Sequence, residues 1–420
     1  MGISKQTNHS TMSMYQWGIV LLATSLNLID GFDVLALAFT ATAIKASYSL
    51  DGAQLGYLLS AGIIGMTAGS LLLAPLADFI GRRWLLILSL VLSTVGMLAS
   101  GFAKEVYTLG IGRVITGLGV GGVLVGTNVI VSEYVSDKWR SFAISVYASG
   151  FGIGALLGGI FAVSLQGSYG WHSVFLAGAI LTAFCLLAVV LWMPESSAFL
   201  QLKTTNKAKD VVSHLSHREN SLQRSLPIKR LLTAPYRNAT LALWSAFVAI
   251  MFSYYFVSSW TPALLKEAGM TTEQSVSVGM MISLGGTLGS LLFGLLASKW
   301  QARHVLAVFM AGSALVASIF IAASASLWIS IMLGILIGAL MNGCISGLYA
   351  INPTIYQTEI RSTGVGMAIG VGRIGAVVAP IMAGFLLDAG WEKQSLYIGV
   401  AIILLMTTLV IGNLKTPTEI

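Results

Sequence analysis

Twelve stretches of about 20 residues, nearly free of charge, follow one another along this chain, and nothing else limits its fold so strongly. They lie roughly at 17–39, 52–74, 84–102, 106–131, 141–165, 171–193, 239–262, 275–298, 304–323, 327–350, 363–387 and 394–412. About 20 apolar residues in a helix cross ~30 Å of hydrocarbon. Lipid offers no partners to backbone N–H and C=O groups, so runs of this kind must be helices that satisfy themselves. Composition agrees, with 56% hydrophobic and only 9% charged residues among 420. The expectation is an all-α membrane protein with twelve transmembrane helices. The first run is too long for a cleavable signal and has no clear cleavage site after it. Cys185 and Cys344 both fall in apolar runs and read as small core residues, with no disulfide framework.

The net charge of +7 would suit a nucleic-acid binder, but its placement speaks for topology. An even number of spans puts both termini on one side. Seventeen of the lysines and arginines fall on that side, from Lys5 and Arg82 through the 194–238 loop to Lys415, and four on the other: Lys45, Lys104, Lys266 and Lys393. This positive-inside bias predicts cytoplasmic termini. The lipid bilayer is the expected partner, and nucleic acid is not.

The longest polar interruption, residues 194–238, divides the chain into an N-terminal six-helix bundle (1–193), a cytoplasmic linker and a C-terminal six-helix bundle (239–420). A shift of 221 residues brings the two halves into phase: Arg82 meets Arg303, Gly126 meets Gly347, Arg140 meets Arg361 and Gly154 meets Gly375. Two parallel six-helix repeats with a site near the midplane between them is a transporter architecture.

The loop between spans two and three, "APLADFIGRRWLL" (74–86), resembles the signature loop of the major facilitator superfamily. Asp78, Gly81, Arg82 and Arg83 match it, while Ala74 and Phe79 depart. "GLLASKWQARH" (294–304) is a degraded second copy. "GRVITGLGVGG" resembles the superfamily's arginine-plus-glycines motif with Arg113 in place, and "MPESSAFL" its proline-glutamate-serine signature. More narrowly, "DGFD", "SEYVSDKWRS", "YGWHSVF" and "IRSTGVGMAIGVGRIGAVVAP" together are similar to the aromatic acid:proton symporter family. The resemblance covers all twelve spans. It implies the major facilitator fold, a place in the bacterial cytoplasmic membrane, and proton-driven uptake of an organic acid, an aromatic carboxylate or a related unsaturated acid, by a functional monomer.

Two pairs of intramembrane charges carry the chemistry. Asn27, Asp30 and Asp33 step by three along one stripe of span one. Each ionised carboxylate costs ~2.5–3.5 kcal/mol near a helix centre, and two so close cannot both stay ionised cheaply. Asp33, with Asp30 sharing or tuning its proton, is the predicted proton-coupling group; alternatively one of the two aspartates merely hydrogen-bonds a broken helix around Gly31. Arg113 and Arg373 stay charged, and their forks match a carboxylate. At 1.5 Å per residue all four charges fall ~9–16 Å below the outer face, in one band. The two arginines, with Asn27, are predicted to bind the substrate, although Arg113 could instead tie carbonyls of span one. The superfamily's cavity-lining spans one, four, seven and ten imply further candidates in Tyr254, Asn342 and Tyr349, and beside them Tyr255, Trp260 and Asn352.

Asp78, Arg82, Glu133, Arg140, Glu359 and Arg361 cluster at the cytoplasmic ends. They read either as solvated loop charge or, as the resemblance implies, as a salt-bridged inner gate. "GVGRIG" (370–375) fits a dinucleotide fingerprint but lies in an apolar span with no strand before it, so its glycines serve helix packing. His214 and His217 have no third ligand nearby. "NAT" at Asn238 falls on the cytoplasmic side, and no P-loop is present. No metal, cofactor or enzymatic activity is expected. The partners are a small organic acid and protons. The competing readings are an uncoupled facilitator or exporter and, further off, a membrane sensor, for which the 194–238 loop leaves little signalling mass.

Overall fold

Each apolar run is a single α-helix in the computed structural model, which describes residues 12–135, 139–195, 231–233, 236–324 and 326–412. In chain order they are α1 (Met14–Tyr48), α2 (Gly52–Ile80), α3 (Arg82–Gly101), α4 (Val106–Tyr134), α5 (Arg140–Tyr169) and α6 (His172–Trp192). The second set is α7 (Arg237–Glu267), α8 (Thr272–Ala297), α9 (Ala302–Phe320), α10 (Leu327–Ile355), α11 (Thr358–Asp388) and α12 (Lys393–Gly412). All twelve are long and apolar enough to cross a membrane. Their outward faces carry exposed Leu71, Phe184, Leu295 and Leu315, a surface suited to hydrocarbon rather than water.

Several helices overrun the apolar runs that announce them. α1 has 35 residues where the run suggests fewer, because hydropathy marks the thickness of the lipid and not the length of the helix. Local capping sets some ends. At α8, Thr271 and Gln274 form a reciprocal capping box. Between α2 and α3 the chain turns on Gly81 alone, at φ 100, a region that a side chain rarely adopts.

Helix pairing repeats with a period of six. α1 packs on α5 and α2 on α4, and α3 packs on α6. In the second set α7 packs on α11, α8 on α10 and α9 on α12. Glycines aligned by the 221-residue shift occupy like places. Gly154 meets the backbone of Leu28 on α1, and Gly375 meets that of Val248 on α7. Gly126 meets Leu85 and Leu86, and Gly347 meets Leu306. Small residues let helix backbones approach where lipid provides no hydrophobic drive.

The chain forms two compact units that do not follow the helix count. One comprises residues up to Val34, then Ile64–Leu157, and from His172 through α6; the other comprises Leu35–Ile63, Gly158–Trp171 and the second six helices. The distal parts of α1, α2 and α5 thus belong to the same unit as α7–α12.

Candidate functional site

Asp33 and Arg113 are each 2% exposed, and they meet. Arg113 Nη1 donates to Asp33 Oδ1 at 2.7 Å and Nη2 to Oδ2 at 2.9 Å, a two-pronged fork, while Nη2 also donates to the Asp33 carbonyl at 3.2 Å. The guanidinium carbon lies 5.5 Å from the centre of the Phe175 ring of α6, and Met97 of α3 closes another side, its sulfur 3.8 Å from Nη1. An arginine this buried requires a counter-charge, since an unpaired ion in low dielectric is far costlier than a pair. Both carboxylate oxygens of Asp33 thus accept N–H bonds from the one guanidinium. A proton arriving on either oxygen removes one prong and frees a guanidinium N–H for another acceptor. Arg113 Nε is already without a hydrogen-bond partner among the described residues.

The register of α1 against α5 places the second acid. Asn27 Nδ2 donates to the Tyr147 carbonyl at 2.8 Å. Gly31 lies so close to the Phe151 carbonyl that any Cβ would collide with it. α1 runs unbroken through Gly31, so the expectation of a broken helix there is not met. Asp30 is buried, and its charge reaches the Tyr147 hydroxyl, which is paired with Thr127 of α4 at 3.0 Å. Asp33 thus answers to Arg113 of α4. Tyr147 and Thr127 are absent from the sequence-based candidates; the signal was a lone hydroxylated aromatic in the small-residue run "SVYASGFGIG".

In the second unit Arg373 is half-buried on α11, and its charge reaches Tyr349 of α10. Tyr349 is 41% exposed and meets Phe247 edge-on at 5.8 Å. Tyr254 and Tyr255 pack on one another at 5.5 Å, and the Asn342 amide lies against Gly286. Two other candidates are occupied between helices: Trp260 Nε1 donates to the Pro380 carbonyl at 3.1 Å, and Asn352 Nδ2 to the Val365 carbonyl at 3.3 Å.

Of the six predicted gating residues, the side chains of Asp78, Glu133, Arg140, Glu359 and Arg361 lie outside the described residues. Arg82 opens α3, and there the proline-glutamate-serine signature finds its use. Glu195 Oε1 accepts the backbone N–H of Arg82 at 2.7 Å and of Arg83 at 3.3 Å, capping the α3 N-terminus in the absence of a local cap. Tyr134 of α4 donates to the Glu195 carbonyl at 3.0 Å, and Arg83 Nη2 to the Val190 carbonyl at 2.7 Å. This joins α3, α4 and α6 at one end. "GVGRIG" lies within continuous α11. His214 and His217 lie outside the described residues, among which no cluster of metal-ligating side chains occurs.

With this geometry in view, the chain can be set beside known proteins. The sequence pattern of the Major Facilitator Superfamily matches residues 20–317 and again 278–419. A gallate transporter of Pseudomonas putida is 30% identical, over 90% of this chain and 87% of its own. The 4-hydroxybenzoate transporter PcaK of the same species is 28% identical, over 92% and 90%. A 3-(3-hydroxy-phenyl)propionate transporter of Escherichia coli K12 is 30% identical, over 93% and 91%. Among solved structures, a D-xylose-proton symporter superposes with a TM-score of 0.76 at 16% identity, over 96% of this chain and 99% of that one. The inward-open xylose transporter XylE of E. coli gives 0.74 at 17%, over 95% and 96%. At such identities the likeness is one of fold.

Proposed function

Because the chain belongs to the major facilitator superfamily, in its aromatic acid transporter family, we propose that this integral membrane protein imports an aromatic carboxylate together with protons, by alternating access. The relatives are named for gallate, 4-hydroxybenzoate and hydroxyphenylpropionate, which share one ring and one carboxylate. The bilayer is the bacterial cytoplasmic membrane, with both termini in the cytoplasm as the basic loops favour. The working unit is a monomer of two bundles, 1–193 and 239–420, joined by the 194–238 linker.

The observation that carries this reading is the buried fork between Asp33 and Arg113. In the empty carrier the aspartate neutralises the arginine, so the site carries no uncompensated charge. A proton from the acidic side takes one carboxylate oxygen and releases a guanidinium N–H, and the substrate carboxylate takes the vacated prong. Proton and anion thus load as a neutral pair, and neither loads cheaply alone. Asn27 fixes the stripe that bears both acids, and Asp30 tunes the field at Asp33 through its place beside Tyr147. Arg373, Tyr349, Tyr254 and Asn342 are assigned as the further substrate-binding residues. The inner gate comprises Asp78, Arg82, Glu133, Arg140, Glu359 and Arg361.

The test is uptake of labelled 4-hydroxybenzoate and gallate into proteoliposomes, with and without an imposed proton gradient. Gradient-driven accumulation of either supports the reading. Uptake that only equilibrates in both conditions makes the protein a facilitator, and binding without flux makes it a sensor.

A further inference from the structure

The second compact unit contains a long-range contact that anion recognition does not require. α2 starts with its own local cap: Asp51 Oδ1 accepts the Gln54 N–H at 2.7 Å, and Gln54 Oε1 accepts the Asp51 N–H at 3.1 Å. That box satisfies the third helical N–H and leaves the first two. Both are taken by the last residue of α11. Asp388 Oδ1 accepts from Gly52 and Oδ2 from Ala53, each at 2.7 Å. A carboxylate across the positive end of a helix, bonded through both oxygens, is a strong form of this interaction. Beneath it α2 and α11 are in contact without intervening side chains, Gly52 against Gly384 and Gly56 against Pro380, and Ser60 Oγ donates to the Val377 carbonyl at 2.8 Å. Beside it Lys45 of α1 pairs with Glu267 of α7 at 3.0 Å. Lys45, Glu267 and Asp388 line a cavity of about 530 Å³, together with Lys393.

Three features distinguish this contact from ordinary packing. α2 has a start signal of its own and does not need Asp388 in order to form. Asp388 is exposed, so its oxygens and the two N–H groups can pass to water when they part, which makes the bond reversible. The contact also joins the N-terminal end of α2 to the C-terminal end of α11, and so, by helix order, lies at the side away from the start of α1 and the end of α12, a side at which an alternating-access carrier must open.

We propose that Asp388 is the latch of the outer gate: its carboxylate, clasping the first two N–H groups of α2, holds the outside closed, and its release is a step in opening. This rests on the alternating-access reading and on the cytoplasmic placement of the termini.

The test uses a background in which Cys185 and Cys344 are replaced by alanine and Ser60→Cys is the reporter, a position buried below the latch. Its rate of reaction with a membrane-impermeant maleimide, added outside, measures opening. Losing two charge-assisted hydrogen bonds should raise that rate ~tenfold or more in Asp388→Ala. Asp388→Asn keeps one acceptor and should fall between, while Asp51→Ala, which removes only the local cap, should leave the rate unchanged. Labelling at the parent rate in both Asp388 variants overturns the latch. Equal acceleration by Asp51→Ala also overturns it, reducing the effect to fraying of α2. A separate arm tests the reading beneath: K45C/E267C joined by a short bis-maleimide should stop uptake of labelled 4-hydroxybenzoate and gallate. Undiminished uptake in the joined protein would sink alternating access itself, whatever Asp388 does.

Discussion

Two ion pairs of nearly equal length differ in almost everything else. Arg113–Asp33 closes at 2.7 Å with side chains 2% and 3% exposed, and Lys45–Glu267 at 3.0 Å with side chains 35% and 36% exposed. The first is a planar fork on both carboxylate oxygens, with Phe175 and Met97 excluding water. The second is an ammonium beside one oxygen, and both residues line a cavity. Distance does not rank them. Removing one partner of a buried pair leaves a charge that nothing else solvates, at a cost of ~3–5 kcal/mol. Removing one partner of an exposed pair returns the other to water, for ~0–1 kcal/mol. A site that must respond to one proton needs the first kind, because only there does one proton change the balance so much.

The widest separation of the two comes from Arg113→Ala. It should lower uptake at least ~100-fold and destabilise the purified protein by ~3–5 kcal/mol, seen as a fall in Tm. Arg113→Lys should regain the stability in part and the uptake hardly at all, because an ammonium has no fork. Full uptake in Arg113→Lys would show that charge alone suffices.

Asp33→Asn comes next. It mimics the protonated acid and cannot release a proton, so accumulation against a gradient should fall ~tenfold or more, while counterflow of labelled for unlabelled acid continues. Gradient-driven accumulation at the wild-type level would remove Asp33 from the coupling.

Glu195 offers an intermediate case, a half-buried carboxylate whose partner is a helix end. Glu195→Ala should cost ~1 kcal/mol, the usual loss for an N-cap, read as a modest drop in Tm. An unchanged melting profile would show that water replaces the cap.

At the small end, Glu267→Gln should shift stability by no more than ~0.5 kcal/mol and leave substrate affinity untouched. Added salt should erase even that difference, since exposed pairs are screened and buried ones are not. A loss of binding as large as that of Arg113→Ala would dissolve the contrast between the two pairs.

The twelve spans were legible because lipid imposes a simple length rule on apolar runs. Helix ends such as Tyr48 of α1 were not, because beyond the hydrocarbon a helix continues on capping and propensity. Asp33 and Arg113 were legible as charges at one depth where charge is expensive. Their fork was not, since depth along two helices leaves the rotation of each about its axis open. Glu195 and Asp388 escaped for a further reason: each caps a helix more than a hundred residues away in sequence, and capping is read from neighbours. Trp260 and Asn352 show the converse. A polar group in an apolar span can face a ligand or a neighbouring carbonyl, and sequence does not separate the two.

Helix α1 carries both kinds of pair on one continuous rod, Asp33 within it and Lys45 near its end. The twelve residues between them span ~18 Å at 1.5 Å rise each. Pivoting such a rod by about 5° at Asp33 swings its tip by ~1.6 Å, enough to carry a 3.0 Å contact past hydrogen-bonding range. On a rod of this length a subångström adjustment at the fulcrum would emerge, magnified, at the tip.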